Sequence, residues 1–181
     1  MKKTVFAGFG GQGVLMMGYV YAVAAMNDGR HVTYLPSYGA EMRGGTANCT
    51  VAVSDDEIFS PVASTPDFAV IMNKPSLVKY ENMMRNEGTL FLNSSVIFDE
   101  LSREGLFDVR IPANEIAREL GSDRVVNMIM LGAFVAHTKL TSLESIMNGL
   151  QEIVKGKSSA VMKLNRKALD RGAEFVLKGI S

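Results

Sequence analysis

Two clusters in this sequence have residue types and spacing suited to chemistry. The first is Gly8-Phe-Gly-Gly-Gln-Gly13, directly after the apolar run Val5-Phe6-Ala7. Read as a strand entering a glycine turn ahead of a helix near Val14, it presents unobstructed backbone amides at a helix N-terminus. That is a cradle for an anion. Gly8, Gly10 and Gly13 also fit the G-x-G-x-x-G dinucleotide fingerprint, with Gly11 and Gln12 between them. The fingerprint is incomplete, because a dinucleotide site places Asp or Glu at the end of the second strand to hold the ribose hydroxyls. Here the second strand candidate, His31-Val-Thr-Tyr-Leu35, runs into Pro36-Ser37-Tyr38-Gly39 with no carboxylate; Asp28 comes before it and Glu41 well after it. A plain strand-to-helix turn and a ligand cradle both stay open at this point.

The second cluster is Ser37-Tyr-Gly-Ala-Glu-Met-Arg-Gly-Gly45. It follows a strand end, which in an open α/β sheet puts it beside the first glycine loop, where ligands bind. Tyr38, Glu41 and Arg43 stand among Gly39, Gly44 and Gly45, so the loop has backbone freedom to lose and polar heads to place. Arg43 offers a planar fork to a carboxylate or phosphate. The plainer reading is that Glu41 and Arg43 pair and brace the loop.

No catalytic constellation is evident elsewhere. Cys49 is the only cysteine, so it forms no internal disulfide and holds no iron–sulfur cluster or structural zinc by itself. Its strand-like surroundings, Asn48-Cys49-Thr50-Val51, predict a buried, inert thiol. The two histidines, His31 and His137, are far apart. His137 closes an apolar helix, where a cation or a capping hydrogen bond suits the dipole. Neither is a metal-ligand candidate.

The elements that must position these clusters are legible as alternating strands and helices. After a helix over 13–26, strands are predicted at 31–35, 47–53 and 67–72, the last almost continuously apolar, as in a strand covered on both faces. A helix is predicted over 75–84, strands at 90–92 and 107–111, and helices over 113–120, 127–138, 143–154 and 158–177. Pro75 marks a first helical turn and Ser142 a helix start. The order predicts a single domain over 1–181, an α/β fold of three layers (α/β/α) with helices gathering toward the C-terminus. In the helix carrying Gly132 and Ala133, small residues permit close helix approach; its methionines, with Met16, Met17, Met83 and Met84, would alternatively suit an adaptable interface.

Nineteen basic and nineteen acidic side chains cancel in 181 residues, which argues against a nucleic-acid partner. The start, Met-Lys-Lys-Thr, passes straight into strand residues without a signal-peptide core, and no apolar run reaches the length of a membrane span. A cytoplasmic protein with no membrane contact is expected.

Taken together, Gly8-x-Gly-Gly-Gln-Gly13 and Ser37-Tyr-Gly-x-Glu-x-Arg-Gly-Gly45 resemble the gamma subunit of 2-oxoacid:ferredoxin oxidoreductases. The resemblance continues through Val53-Ser-Asp-Asp-Glu-Ile58, Asn73-Lys-Pro-Ser76, Ile111-Pro-Ala113 and Asn127-Met-x-Met-Leu-Gly132. The Ser-Tyr-Gly form is more similar to the 2-oxoglutarate and branched-chain enzymes than to the pyruvate enzymes, with 2-oxoglutarate the expected acid; the beta subunit of indolepyruvate oxidoreductases shares the domain. The resemblance implies the α/β/α gamma fold and a multi-subunit enzyme of anaerobic metabolism that turns a 2-oxoacid, coenzyme A and oxidised ferredoxin into acyl-CoA, carbon dioxide and reduced ferredoxin. It places thiamine diphosphate, magnesium and iron–sulfur clusters on alpha, beta or delta partner subunits, and no catalytic residue or metal on this chain. The implied ligand- or partner-facing residues are Gly8, Gly10, Gly11, Gln12, Gly13, Ser37, Tyr38, Gly39, Glu41, Arg43, Gly44 and Gly45, and an isolated chain would have a surface that encourages self-association. A stand-alone nucleotide-dependent dehydrogenase and a non-enzymatic nucleotide- or acyl-CoA-binding domain are the alternatives.

Overall fold

The computed structural model describes residues 1–38, 45–59, 65–154, 156 and 158–179. Its frame is one six-stranded sheet: β1 (Lys2–Phe9), β2 (His31–Tyr38), β3 (Thr46–Ser54), β4 (Phe68–Ile71), β5 (Thr89–Asn93) and β6 (Phe107–Ile111). Across the sheet the order is β2-β3-β1-β4-β5-β6. Strands β1, β4, β5 and β6 are parallel, whereas β3 runs antiparallel to both β1 and β2. The helices are α1 (Val14–Asn27), α2 (Lys74–Glu81), α3 (Ala113–Glu119), α4 (Val126–Thr138), α5 (Leu143–Ile153) and α6 (Ser159–Gly179).

The apolar runs are explained by the two faces they cover. Ala69, Val70, Ile71, Leu90, Phe91 and Leu92 are fully buried, because β4 and β5 are interior parallel strands with a layer on each side. On one face Phe6, Val51, Val70 and Phe91 meet α1, α4 and the helices beyond them in a large core. Phe134 of α4 sits at its centre, with ring centroids 5.2 Å from Tyr21, 5.3 Å from Phe91 and 5.6 Å from Phe6. On the other face Val5, Ala7, Ile71 and Leu92 are covered by Leu77 and Tyr80 of α2 and by Ile97. The three layers are therefore unequal.

Glycine sets the spacing of the thick layer. A Cβ on Gly132 of α4 would lie 2.8 Å from the Leu169 carbonyl carbon, and one on Gly172 of α6 would lie 2.8 Å from that of Ile129, each nearer still to the oxygen. The two helices thus cross backbone to backbone, as Gly132 predicts. Gly18 of α1 likewise admits the Cys49 sulfur.

Two boundaries differ from expectation by three residues. Strand β2 continues past Leu35 through Pro36, Ser37 and Tyr38, which pair with Cys49, Asn48 and Ala47. Proline is tolerated there because β2 is an edge strand. Ser37 and Tyr38 are therefore strand residues and not loop. Helix α2 stops at Glu81 instead of Met84: the Met83 and Met84 amides both return to the Tyr80 carbonyl, and the chain turns through Glu87, whose φ is +61°. Among the described residues no helix is long and apolar enough to cross a membrane.

Candidate functional site

The glycine turn closes β1 and opens α1. Gly11 and Gly13 hold positive φ, +93° and +75°, a conformation that glycine adopts without steric penalty. Gly8 is required for a different reason: a Cβ there would lie 2.6 Å from Gln12 Oε1 and 2.8 Å from Met72 Cβ. Gln12 fastens the turn to the rest of the sheet. Its Oε1 accepts from the Phe9 amide at 2.6 Å and its Nε2 donates to the Met72 carbonyl at 3.2 Å, joining the ends of β1 and β4.

The turn is a narrower anion cradle than its glycines imply. The Phe9 amide is taken by Gln12, the Gly10 amide donates to the Gly45 carbonyl (3.0 Å), and the Gln12 amide donates to the Phe9 carbonyl (3.1 Å). The Gly11 and Gly13 amides have no acceptor among the described residues. Gly13 caps α1 without a side-chain hydrogen bond, and no acidic residue stands in the first turn, so the helix itself supplies no charge against its positive end.

A cavity of about 230 Å³ lies between this turn and the start of α4. Its floor is Met72, beyond β4, and Asn93, the last residue of β5; Asn114, Asp123, Arg124 and Asn127 close the far side, so one carboxylate stands beside the arginine. Asn93 is 1 % exposed, with its Nδ2 donating to Asn114 Oδ1 at 2.8 Å. A Cβ on Gly13 would come within 3.0 Å of Asn127 Cγ, so α4 is seated directly on the turn. Arg124 forms no ion pair among the described residues. Helix α1 returns on one face of the sheet and α2 on the other, which makes the crevice at the ends of β1 and β4 a topological switch point, where open α/β sheets bind ligands.

The second cluster reaches the same end of the sheet. Tyr38 pairs with Ala47 at the end of β2, Thr46 pairs with Phe9 at the start of β3, and Gly45 is hydrogen-bonded to Gly10. Ser37 is exposed. Gly39, Glu41, Arg43 and Gly44 lie outside the described residues. The expected meeting of the two clusters is thus seen at Gly10 and Gly45. Because β3 separates β1 from β2, the end of β2 is one strand further from the turn than a dinucleotide site requires. The missing acid and this displacement both weigh against a nicotinamide or flavin site.

Sequence reasoning missed Asn93, Asn114 and Arg124. Asn93 carries a usable signal: a polar residue ending an apolar strand marks the sheet end where ligands collect. Cys49 is fully buried, as expected, and burial pushes its thiol up to about 12. His137 ends α4, but its ring meets Phe91 edge-on at 5.3 Å, and partial burial holds it below the ordinary imidazole range. Its ring is exposed on one side, and the contact with Phe91 and this direction of shift both disfavour the dipole-stabilised cation. Among the described residues no group of three His, Cys, Asp or Glu side chains has the geometry to hold a metal ion.

A family model described as pyruvate ferredoxin/flavodoxin oxidoreductase matches residues 3–175. The ketoisovalerate oxidoreductase subunit VorA of Methanothermobacter marburgensis is 40% identical over 180 residues, covering 98% of this chain and 37% of VorA; the chain spans little more than a third of that relative. The 2-oxoglutarate synthase subunit KorC of the same organism is 32% identical over 187 residues, with 99% of each chain covered. Among solved structures, the keto/oxoacid ferredoxin oxidoreductase gamma subunit from Geobacter sulfurreducens matches with a TM-score of 0.83 and 28% identity, covering 98% of this chain and 99% of that one.

Proposed function

The chain belongs to the pyruvate ferredoxin/flavodoxin oxidoreductase family, and on that premise we propose that it is the gamma subunit of a multi-subunit 2-oxoacid:ferredoxin oxidoreductase working in the cytoplasm. The observation that carries this reading is the crevice at the switch point. Neutral amides, an arginine with no ion pair among the described residues, the neighbouring Asp123 and a helix N-terminus gather there, with no nucleophile beside a base among the described residues. Such a surface shapes and attracts; it does not by itself break a carbon–carbon bond. The chemistry would reside in cofactors held by partner subunits, thiamine diphosphate with magnesium for decarboxylation and iron–sulfur clusters for electron transfer, while this chain supplies position and electrostatics. With its only thiol buried at Cys49, the chain does not itself suit a cluster.

In this reading Gly8, Gly10, Gly11, Gln12 and Gly13, together with the cluster from Ser37 through Tyr38, Gly39, Glu41, Arg43 and Gly44 to Gly45, face the alpha and beta subunits and wall the active site or the approach of coenzyme A. The N-terminal end of α1 and Arg124 would draw an anionic substrate toward that wall. Higher identity to the ketoisovalerate subunit than to the 2-oxoglutarate subunit, 40% against 32%, favours a branched-chain 2-oxoacid over the 2-oxoglutarate expected from the motifs.

Anaerobic affinity purification from the native cells tests the assignment. Co-purification of thiamine-diphosphate and iron–sulfur subunits, with 2-oxoacid- and coenzyme A-dependent dye reduction, is expected; a lone protein recovered under conditions that preserve a known complex would overturn it. A panel of 2-oxoisovalerate, 2-oxoglutarate and pyruvate then ranks the acids. Arg43→Ala tests the wall: if assembly, kcat and the coenzyme A KM are all unchanged, the second cluster does not stand there.

A further inference from the structure

The thinner layer, on the α2 side of the sheet, has an apolar outer surface at the end of β1. A second cavity, of about 260 Å³, opens there. It shares Gln12 and Met72 with the crevice, but its apolar walls are Phe9, Pro75 and Val96, with Asn73 and Lys74 completing it. Phe9 and Val96 are exposed, and so is Val78, one turn along α2 from Lys74. Phe98 stands two residues beyond Val96 with 78 % of its surface in water. Its ring lines no part of the cavity and packs on neither core. A bare phenyl ring beside an open apolar hollow is a knob set next to a socket, on a surface of the kind that marks a protein contact.

The charges around the hollow come in both signs. Lys74 lines it, and its ammonium pairs with the carboxylate of Asp99, the residue after Phe98, at 2.6 Å. Both side chains remain exposed. An unrelated partner would need only the hollow. A knob, a hollow and one charge of each sign on the same face are what a two-fold pairing of identical surfaces requires, since each element then meets its counterpart on the other copy. We propose that a second copy of this chain docks here about a two-fold axis, the Phe98 of each entering the hollow of the other. A cavity of about 150 Å³ with apolar walls accepts benzene, so the hollow has room for the ring. In the pair, each Lys74 ammonium faces the Asp99 carboxylate of the second copy, which sets four charges of alternating sign beside the axis. This inference does not rest on the gamma-subunit reading.

Light scattering on a dilution series of the full chain tests it. The mass should rise from that of one chain to that of two as concentration increases. Phe98→Asp should weaken dimerisation at least about a hundredfold, because each dimer loses the contact twice. Its melting temperature should match the wild type at concentrations where both are monomeric, since Phe98 packs on neither core. Lys74→Asp and Asp99→Lys should each dimerise poorly alone and well when mixed in equal amounts. Mixing cannot mend the pair within a chain, so recovery reports contact between copies. A wild type that stays monomeric throughout, a Phe98→Asp variant that dimerises undiminished, or a mixture no better than its parts overturns the proposal. In material isolated from the native cells, a photo-crosslinker in place of Phe98 should join two copies of this chain. A crosslink to a different subunit alone overturns the proposal and assigns the face to that subunit.

Discussion

Gly172→Ala should destabilise this protein although alanine is the better helix former. A methyl on Gly172 would lie 2.8 Å from the Ile129 carbonyl carbon, nearer still to its oxygen, and 3.1 Å from the Ala133 nitrogen. All three are backbone atoms of α4, so no side chain can rotate away and the helices must part by about 1 Å. Overpacking of this kind costs about 1–3 kcal/mol. Parting also loosens the buried Ile129, Ala133, Ala168 and Leu169, where a gap of that size forfeits roughly a quarter to a half of each dispersion contact. Against this stands about 1 kcal/mol of helix propensity gained. The net loss is about 2–3 kcal/mol, or about 5–10 °C in melting temperature for a chain of this length. Thermal unfolding by circular dichroism reads it directly, with Gly179→Ala as the control: Gly179 is in the same helix with nothing within 4 Å of an added Cβ, so its replacement should be neutral or slightly stabilising. Gly132→Ala acts on the same helix separation, so the double variant should lose less than the sum of the two. If Gly172→Ala melts within about 2 °C of the wild type, the backbone-to-backbone crossing is not as described.

Cys49 should resist iodoacetamide in the native protein at pH 8 and react once the chain is unfolded, because burial pushes its thiol up to about 12; native alkylation at the rate of a free thiol would show that β3 opens. Burial opposes ionisation of the Asp67 carboxylate, but the Lys3 amide (2.9 Å), the Arg85 guanidinium (2.6 Å) and Lys2 outweigh it and hold it below the ordinary range. A lowered folded-state value means stability that is present above the unfolded pKa and lost as pH falls through the folded one. Asp67→Asn should therefore cost about 1–3 kcal/mol at pH 7 and flatten the acid limb of the stability curve in denaturant titrations; an unchanged acid limb would locate that dependence elsewhere. Gly13→Ala should cost about 1–2 kcal/mol for its left-handed backbone, and more through the collision with Asn127. Denaturant unfolding of the double variant with Asn127→Ala should recover the second part, and identical losses in both backgrounds would remove that contact from the account.

The strands and helices were legible because burial writes itself into short windows. The runs Phe68–Ile71 and 90–92 are apolar throughout, and Ser142 caps α5 through the Ser145 amide as its type and place predict. The pairing of β3 was not legible. Nothing local tells Thr46–Ser54 to insert antiparallel between β1 and β2, since that choice depends on contacts far apart in sequence. Gly132 was readable as a close-approach residue, but its counterpart Gly172 was not, because α6 also carries charges that read as an ordinary solvated helix. At the site, the glycine turn announced itself through composition. The asparagines did not: Asn93 and Asn114 matter only because β5 and α3 bring them into one cavity with Gly13.

The reversed direction of β3 has a consequence for how this scaffold can be varied. Because β2 runs up to the rim and β3 runs back down from it, the connection between them leaves and rejoins the sheet at neighbouring points, Tyr38 and Gly45, with Gly45 tied to the glycine turn. Eight-residue pairing of β2 with β3 and of β3 with β1 holds both anchor points whatever lies between them. The connection is therefore a socket: its contents can be lengthened, shortened or exchanged among relatives without moving a core residue, and loop-closure entropy changes only slowly with such edits. Grafting the corresponding segment from a relative of different substrate preference therefore tests the proposed place of this connection beside the active site while both anchor points stay fixed.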